Sequence, residues 1–97
     1  MALPKNFQTI MLPLLEIVSD GNNHKMNDVI ESLSKYFKLT EAEKNLQYPT
    51  GSAYIFQNKT RFARLYLLKA GLLEAPQRGF IKISKNGSNV LTKNLAR

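Results

Sequence analysis

Ninety-seven residues allow one domain, 1–97, with one small core that buries roughly 60–65% of the unfolded surface. The chain has no Cys, which removes disulfide and thiol chemistry; its 43% apolar content excludes a disordered chain, and no apolar run reaches the ~18 residues of a membrane span, so a soluble, cytoplasmic protein is expected. The net charge of +7 is one-sided: residues 1–50 carry five Lys against six acidic residues, whereas residues 51–97 carry nine Lys and Arg, including all four Arg, against Glu74 alone, a field that attracts polyanions and weakens with salt.

Phe7 to Ser19 reads as a helix, with Ile10, Leu14, Ile17 and Val18 on one face and Met11 and Leu15 beside it. Pro13 either kinks this helix or marks where it starts. Asp20-Gly21-Asn22-Asn23 is a stop and a turn. Met26 is expected to begin a very short strand. Asn27 or Asp28 then opens a second helix with Val29, Ile30, Leu33 and Tyr36/Phe37 inward. Thr40 and Glu43 have capping-box spacing and open a short third helix to about Leu46. Gln47 to Ala53, with Pro49 and Gly51, is a loop, and Ser52 is placed to cap the next helix. From about 55 to 70 the chain is helical again. Phe62, Ala63, Tyr66, Leu67 and Ala70 form its apolar stripe, and Gln57, Arg61, Arg64 and Leu68 lie opposite. Gly71 is positioned as a left-handed helix stop. The runs Leu72–Ala75 and Phe80–Ile83 flank Pro76-Gln77-Arg78-Gly79 and predict a hairpin over 72–84. Ser84 is placed to cap a last helix, Lys85 to about Leu95, weakened by Gly87. The expected fold is mainly α with a small β-hairpin, in the order helix, helix, short helix, recognition helix, hairpin wing, C-terminal helix. That is a winged helix-turn-helix, in which one helix enters the major groove of DNA and the hairpin touches the flanking backbone.

The candidate DNA contacts derive from this layout. Arg61 and Arg64 lie about a turn apart on the side away from the stripe, and guanidinium groups suit both guanine edges and phosphate oxygens. Gln57 and Asn58 near the helix start are placed for bases or phosphates, and Thr60 flanks the basic face. Arg78 at the hairpin tip suits a minor groove or a phosphate, with Gln77 and Lys82 as lesser backbone contacts. Phe62 and Tyr66 read as core rather than as stacking platforms, and Tyr54 suits either role. Leu65 and Leu68 would form an exposed apolar patch, placed for thymine methyls, a second copy or another domain. No Asp/Glu-x-Lys triplet occurs, and the six acids before residue 51 are scattered. His24 has neither Cys nor a second His beside it, so no catalytic residue, metal site or cofactor is expected.

Several segments carry a resemblance: Met11-Leu-Pro-Leu-Leu15, Asp20-Gly21, Leu39-Thr40-Glu41, Pro49-Thr50-Gly51, Asn58 with an aromatic four residues on, Ala63-Arg64, Leu67-Leu-Lys-Ala-Gly-Leu-Leu73 and Arg78-Gly79. In this order they make the chain resemble the N-terminal domain of Mrr-like restriction endonucleases, bacterial enzymes that cut modified DNA. Phe62 stands where that family usually has Trp, and Leu65 and Leu68 stand where polar residues are common. The resemblance implies a winged-helix domain that binds double-stranded DNA, methylated or not, joined by a linker to a PD-(D/E)xK nuclease domain lying outside this sequence. The chain is thus expected to target a restriction system and to cut nothing itself. The rival reading is a winged helix used for association, as a homodimer or docked on the nuclease domain, through Leu65 and Leu68 or the last helix.

Overall fold

The computed structural model describes residues 8–51 and 53–95. Helix α1 spans Gln8–Ile17 and carries the centre of the core on Ile10, Leu14, Leu15 and, just beyond it, Val18. Pro13 has no N–H to donate, yet the helix runs through it with its ring buried. Gly21, at φ 82°, turns the chain back, and strand β1 comes next at His24–Lys25. Met26 therefore does not begin a strand: it is the first residue of helix α2, Met26–Tyr36, which buries Val29, Ile30 and Leu33. Tyr36 is exposed, and Phe37 packs against the core and edge-on to Phe56, centroids 6.2 Å apart.

Helix α3 is the single turn Glu41–Lys44, shorter than expected. Its capping box is complete: the Glu43 amide donates to Thr40 Oγ1 at 3.1 Å, and the Thr40 amide to Glu43 Oε1 at 2.8 Å. The loop after it closes on itself through Gly51 N to Tyr48 O and Tyr48 N to Ala53 O, and delivers helix α4, Ile55–Lys69. Its N-cap is Tyr54, which makes no side-chain cap bond; Ser52 lies outside the described residues.

After Gly71, at φ 76°, strands β2 (Leu73–Glu74) and β3 (Phe80–Ile83) form the expected hairpin. The sheet gains a third strand, because β1 pairs antiparallel with the free edge of β3, giving the order β1-β3-β2. Ile81 and Ile83 point inward and alternate with Phe80 and Lys82. Helix α5, Lys85–Leu95, packs back on α1 and buries Leu91. The Gly87 amide donates to Ser84 Oγ at 3.0 Å, while that hydroxyl donates to Gly71 O at 2.6 Å. One serine thus caps α5 and ties it to the end of α4. Among the described residues, five helices, a small antiparallel sheet and a hairpin directly after the longest helix are compatible with a winged helix.

The face of α4 differs from the expected one. Its buried seam is Phe56, Thr60, Ala63 and Leu67, at i, i+4, i+7 and i+11. Phe62 is 47% exposed and Tyr66 49% exposed, and Ala70 is exposed as well. The helix is turned by roughly 60° from the expected stripe, taking about 100° per residue. Thr60 explains the error. It is fully buried, and its hydroxyl donates to Phe56 O at 2.9 Å, so the residue packs as a small methyl-bearing group. With Ala63 it presents a narrow seam to α1, and the large aromatic rings are left outside.

Candidate nucleic-acid interface

Three elements gather basic side chains around one groove of about 570 Å³. Lys25 and Asn27 come from β1 and the start of α2, Arg61 and Arg64 from the flank of α4, and Arg78, Gly79 and Phe80 from the wing. Met26 and Phe80 supply apolar floor, and no carboxylate lines it. Among the described residues none of Lys25, Arg61, Arg64 and Arg78 forms an ion pair; bridges formed elsewhere include His24–Asp20, Lys44–Glu31 and Lys44–Glu41. The groove is therefore positive and not internally neutralised.

The pairing of β1 with β3 builds this arrangement. Lys25 faces Phe80 in the ladder, and the Met26 amide donates to Gly79 O at 2.8 Å. That carbonyl is turned towards α2 by Gly79, at φ 81°, a conformation that side chains resist. The wing is thus fastened to the first turn of α2. Lys25, the N-cap residue of α2, makes no side-chain cap bond, so the positive end of the helix dipole adds to the field here.

The predicted contacts divide. Arg61 is exposed, Arg64 half-buried and Arg78 exposed, and all three line the groove. Gln57 is half-buried in a hollow with Gln47, Tyr54 and Asn58, away from the wing. Asn58 donates from Nδ2 to Tyr48 Oη at 3.2 Å, which anchors the 47–54 loop on α4. Gln77 is exposed at the tip but does not line the groove, and its carbonyl accepts from the Phe80 amide at 3.1 Å. Lys82 is half-buried opposite Glu74, two residues from Phe80 on the same sheet face. Thr60 is not on the basic face at all; it is core. Lys25 and Asn27 escaped the sequence reading because a two-residue strand has no periodicity, and its pairing with the wing is a contact across more than fifty residues.

Outside the groove the electrostatics are local. The His24 ring Nε2 lies 2.8 Å from Asp20 Oδ1, and this bond, helped by the Asn22 amide, lowers the Asp20 carboxyl below its ordinary value. Lys44, 3.0 Å from Glu31 Oε1 and 3.3 Å from Glu41 Oε1, is raised above its ordinary value, Glu31 being the larger cause. Among the described residues no group of three His, Cys, Asp or Glu is placed to hold a metal ion, and no helix is long and apolar enough to cross a membrane.

The family model for the Mrr N-terminal domain matches residues 7–93, nearly the whole chain. The chain belongs to that family. An Mrr N-terminal domain is part of a restriction system and is not itself the catalytic part. No curated protein and no solved structure matches the chain.

Proposed function

We propose that this Mrr N-terminal domain binds duplex DNA and targets a restriction system, with cutting left to a nuclease domain elsewhere in the protein. The reading rests on one observation: Lys25, Arg61, Arg64 and Arg78, drawn from three elements, converge on one groove that no carboxylate lines. Phosphate contacts from Lys25 and Arg78 fix the register of the domain, and the outward side of α4 meets base edges in the major groove. Two cations on phosphates predict that log K falls with log salt at a slope of roughly −2, steeper where Arg64 also reaches the backbone. Anisotropy of a labelled duplex across a salt series measures that slope. A slope near zero, or no binding at low salt, overturns the proposal.

One observation favours the rival, an association module: Phe62, Leu65 and Tyr66 are large and exposed on α4. Leu68 no longer belongs to that patch, since it packs against the core. Association predicts salt-insensitive dimerisation in sedimentation and no affinity for the duplex.

A further inference from the structure

Arg61 has a second neighbourhood, on the side away from the wing. There it closes a hollow of about 270 Å³ between the 47–54 loop and the first turns of α4, with Gln47, Tyr54, Gln57 and Asn58 as the other polar walls. Backbone and side-chain bonds of the loop hold this hollow open. Gln47 pairs with Tyr54 in an isolated antiparallel bridge, the Ile55 amide donates to Leu46 O at 2.9 Å, and Asn58 Nδ2 donates to Tyr48 Oη at 3.2 Å. Among the described residues the side-chain amides of Gln47 and Gln57 make no hydrogen bond. Each presents a donor and an acceptor side by side. The Tyr54 ring stands beside them, 39% exposed. Among the described residues no carboxylate lines the hollow, and Arg61 at its rim is the nearest charge.

We infer that this hollow receives an unpaired nucleobase of the bound DNA, one displaced from the stack at a bulge or a mismatch. The three kinds of wall sort for that occupant together. Amides with free donors and acceptors match the polar edge of a base. An exposed aromatic ring offers a face for stacking that any base can use. A guanidinium at the rim draws in the strand that carries the base. The volume admits one ring system and not a stacked base pair. A base still paired has its Watson–Crick edge occupied by its partner, so only an unpaired base brings that edge to Gln47 and Gln57. An already unpaired base also avoids the cost of extrusion from an intact helix. The inference rests on the duplex-binding reading above and adds to it a preference for locally distorted duplexes.

A matched pair of duplexes isolates the base. One carries a single bulged nucleotide; the other carries an abasic nucleotide at the same bulge, so that backbone, bend and charge are kept and only the base is lost. The 97-residue chain is expected to bind the base-bearing bulge at least about fivefold tighter than the abasic one, the size of one stacked base. Tyr54→Ala should bring that ratio close to one, and Tyr54→Phe, which keeps the ring, should preserve it. The ratio is read within each variant, so any change a substitution makes to duplex affinity as a whole cancels. Gln47→Ala, at an exposed residue, should narrow the spread of affinities among bulges of the four bases, and it keeps the question open to test if Tyr54→Ala does not fold. Equal binding to the base-bearing and abasic bulges by the parent chain overturns the inference and leaves duplex binding standing. No binding to any duplex at low salt overturns both. A base preference that survives both Tyr54→Ala and Gln47→Ala places the base on another surface and overturns the assignment. A free deoxynucleoside monophosphate that abolishes the base preference at micromolar concentration makes the hollow a site for free nucleotides and likewise overturns it.

Discussion

Replacing Gly87 with Ala in α5 tests the packing that holds the last helix on the molecule. Helix propensity alone says the change should stabilise by about 1 kcal/mol, since Gly is a poor interior residue. The structure reverses that sign. A Cβ at Gly87 would lie 2.2 Å from Leu72 O and 2.7 Å from Ile83 Cγ1. The first neighbour is backbone and cannot rotate away, so α5 must lift by about an ångström from the α4–β2 connection. Overpacking of this kind costs about 1–3 kcal/mol. The lift also strains three hydrogen bonds that meet there: Ser84 N to Leu72 O, Ser84 Oγ to Gly71 O and Gly87 N to Ser84 Oγ. Their weakening adds about 1 kcal/mol. The expected net effect is a destabilisation of about 2 kcal/mol, or roughly 10 °C in Tm for a domain of this size. Urea unfolding followed by circular dichroism measures it, with Asn89→Ala, exposed in the same helix, as the propensity control. A Gly87→Ala variant as stable as the parent refutes the close approach.

The revised face of α4 predicts that Phe56→Ala, at a fully buried ring, costs about 3–5 kcal/mol, whereas Phe62→Ala costs less than about 1 kcal/mol; denaturant midpoints of the two variants settle which ring is core. Lys25→Ala and Arg78→Ala should each lower affinity for every duplex alike and flatten the salt slope by about one, while Arg61→Ala should lose preference among base pairs; identical effects for all three would reduce the groove to a generic basic surface. The Asp20 carboxyl is depressed in the folded state, so the stability it contributes is present above its unfolded pKa and is lost as pH falls through the folded one. Asp20→Asn should therefore remove part of the acid destabilisation seen below about pH 4, and an unchanged acid limb would deny the His24–Asp20 bond a role in stability.

Local chemistry was legible in the sequence where a residue pair carries its own geometry. Thr40 with Glu43, Gly71 at the end of α4 and Ser84 at the start of α5 all perform the expected backbone work. The hairpin was legible because two short apolar runs flank a Pro- and Gly-bearing turn. The rotation of α4 was not, because pattern reading ranks Thr60 as polar and Phe62 as apolar, whereas a backbone-bonded threonine buries readily and a large ring is displaced when the seam is narrow. Arg61, Arg64 and Arg78 could be named as a set from charge and spacing. Their meeting with Lys25 could not, since it depends on β1 joining the wing.

That meeting has an energetic consequence. Four like charges around one groove, without a carboxylate among them, repel one another in the folded state more than in the extended chain. Added salt screens that repulsion and should raise the Tm of the free chain. A bound duplex neutralises the same charges and should also raise Tm, by an amount equivalent to about 2.7 kcal/mol when the duplex stands at about a hundred times its Kd. The two effects oppose each other when combined, because salt weakens the duplex contact that supplies the second. Melting curves taken with and without duplex at low and at high salt should show the free chain gaining stability with salt and the duplex increment shrinking. A duplex increment that salt leaves unchanged would mean that the contact does not run through these cations. Arg64→Ala supplies the internal check: with one charge removed from the groove, both the salt gain of the free chain and the duplex increment should fall together.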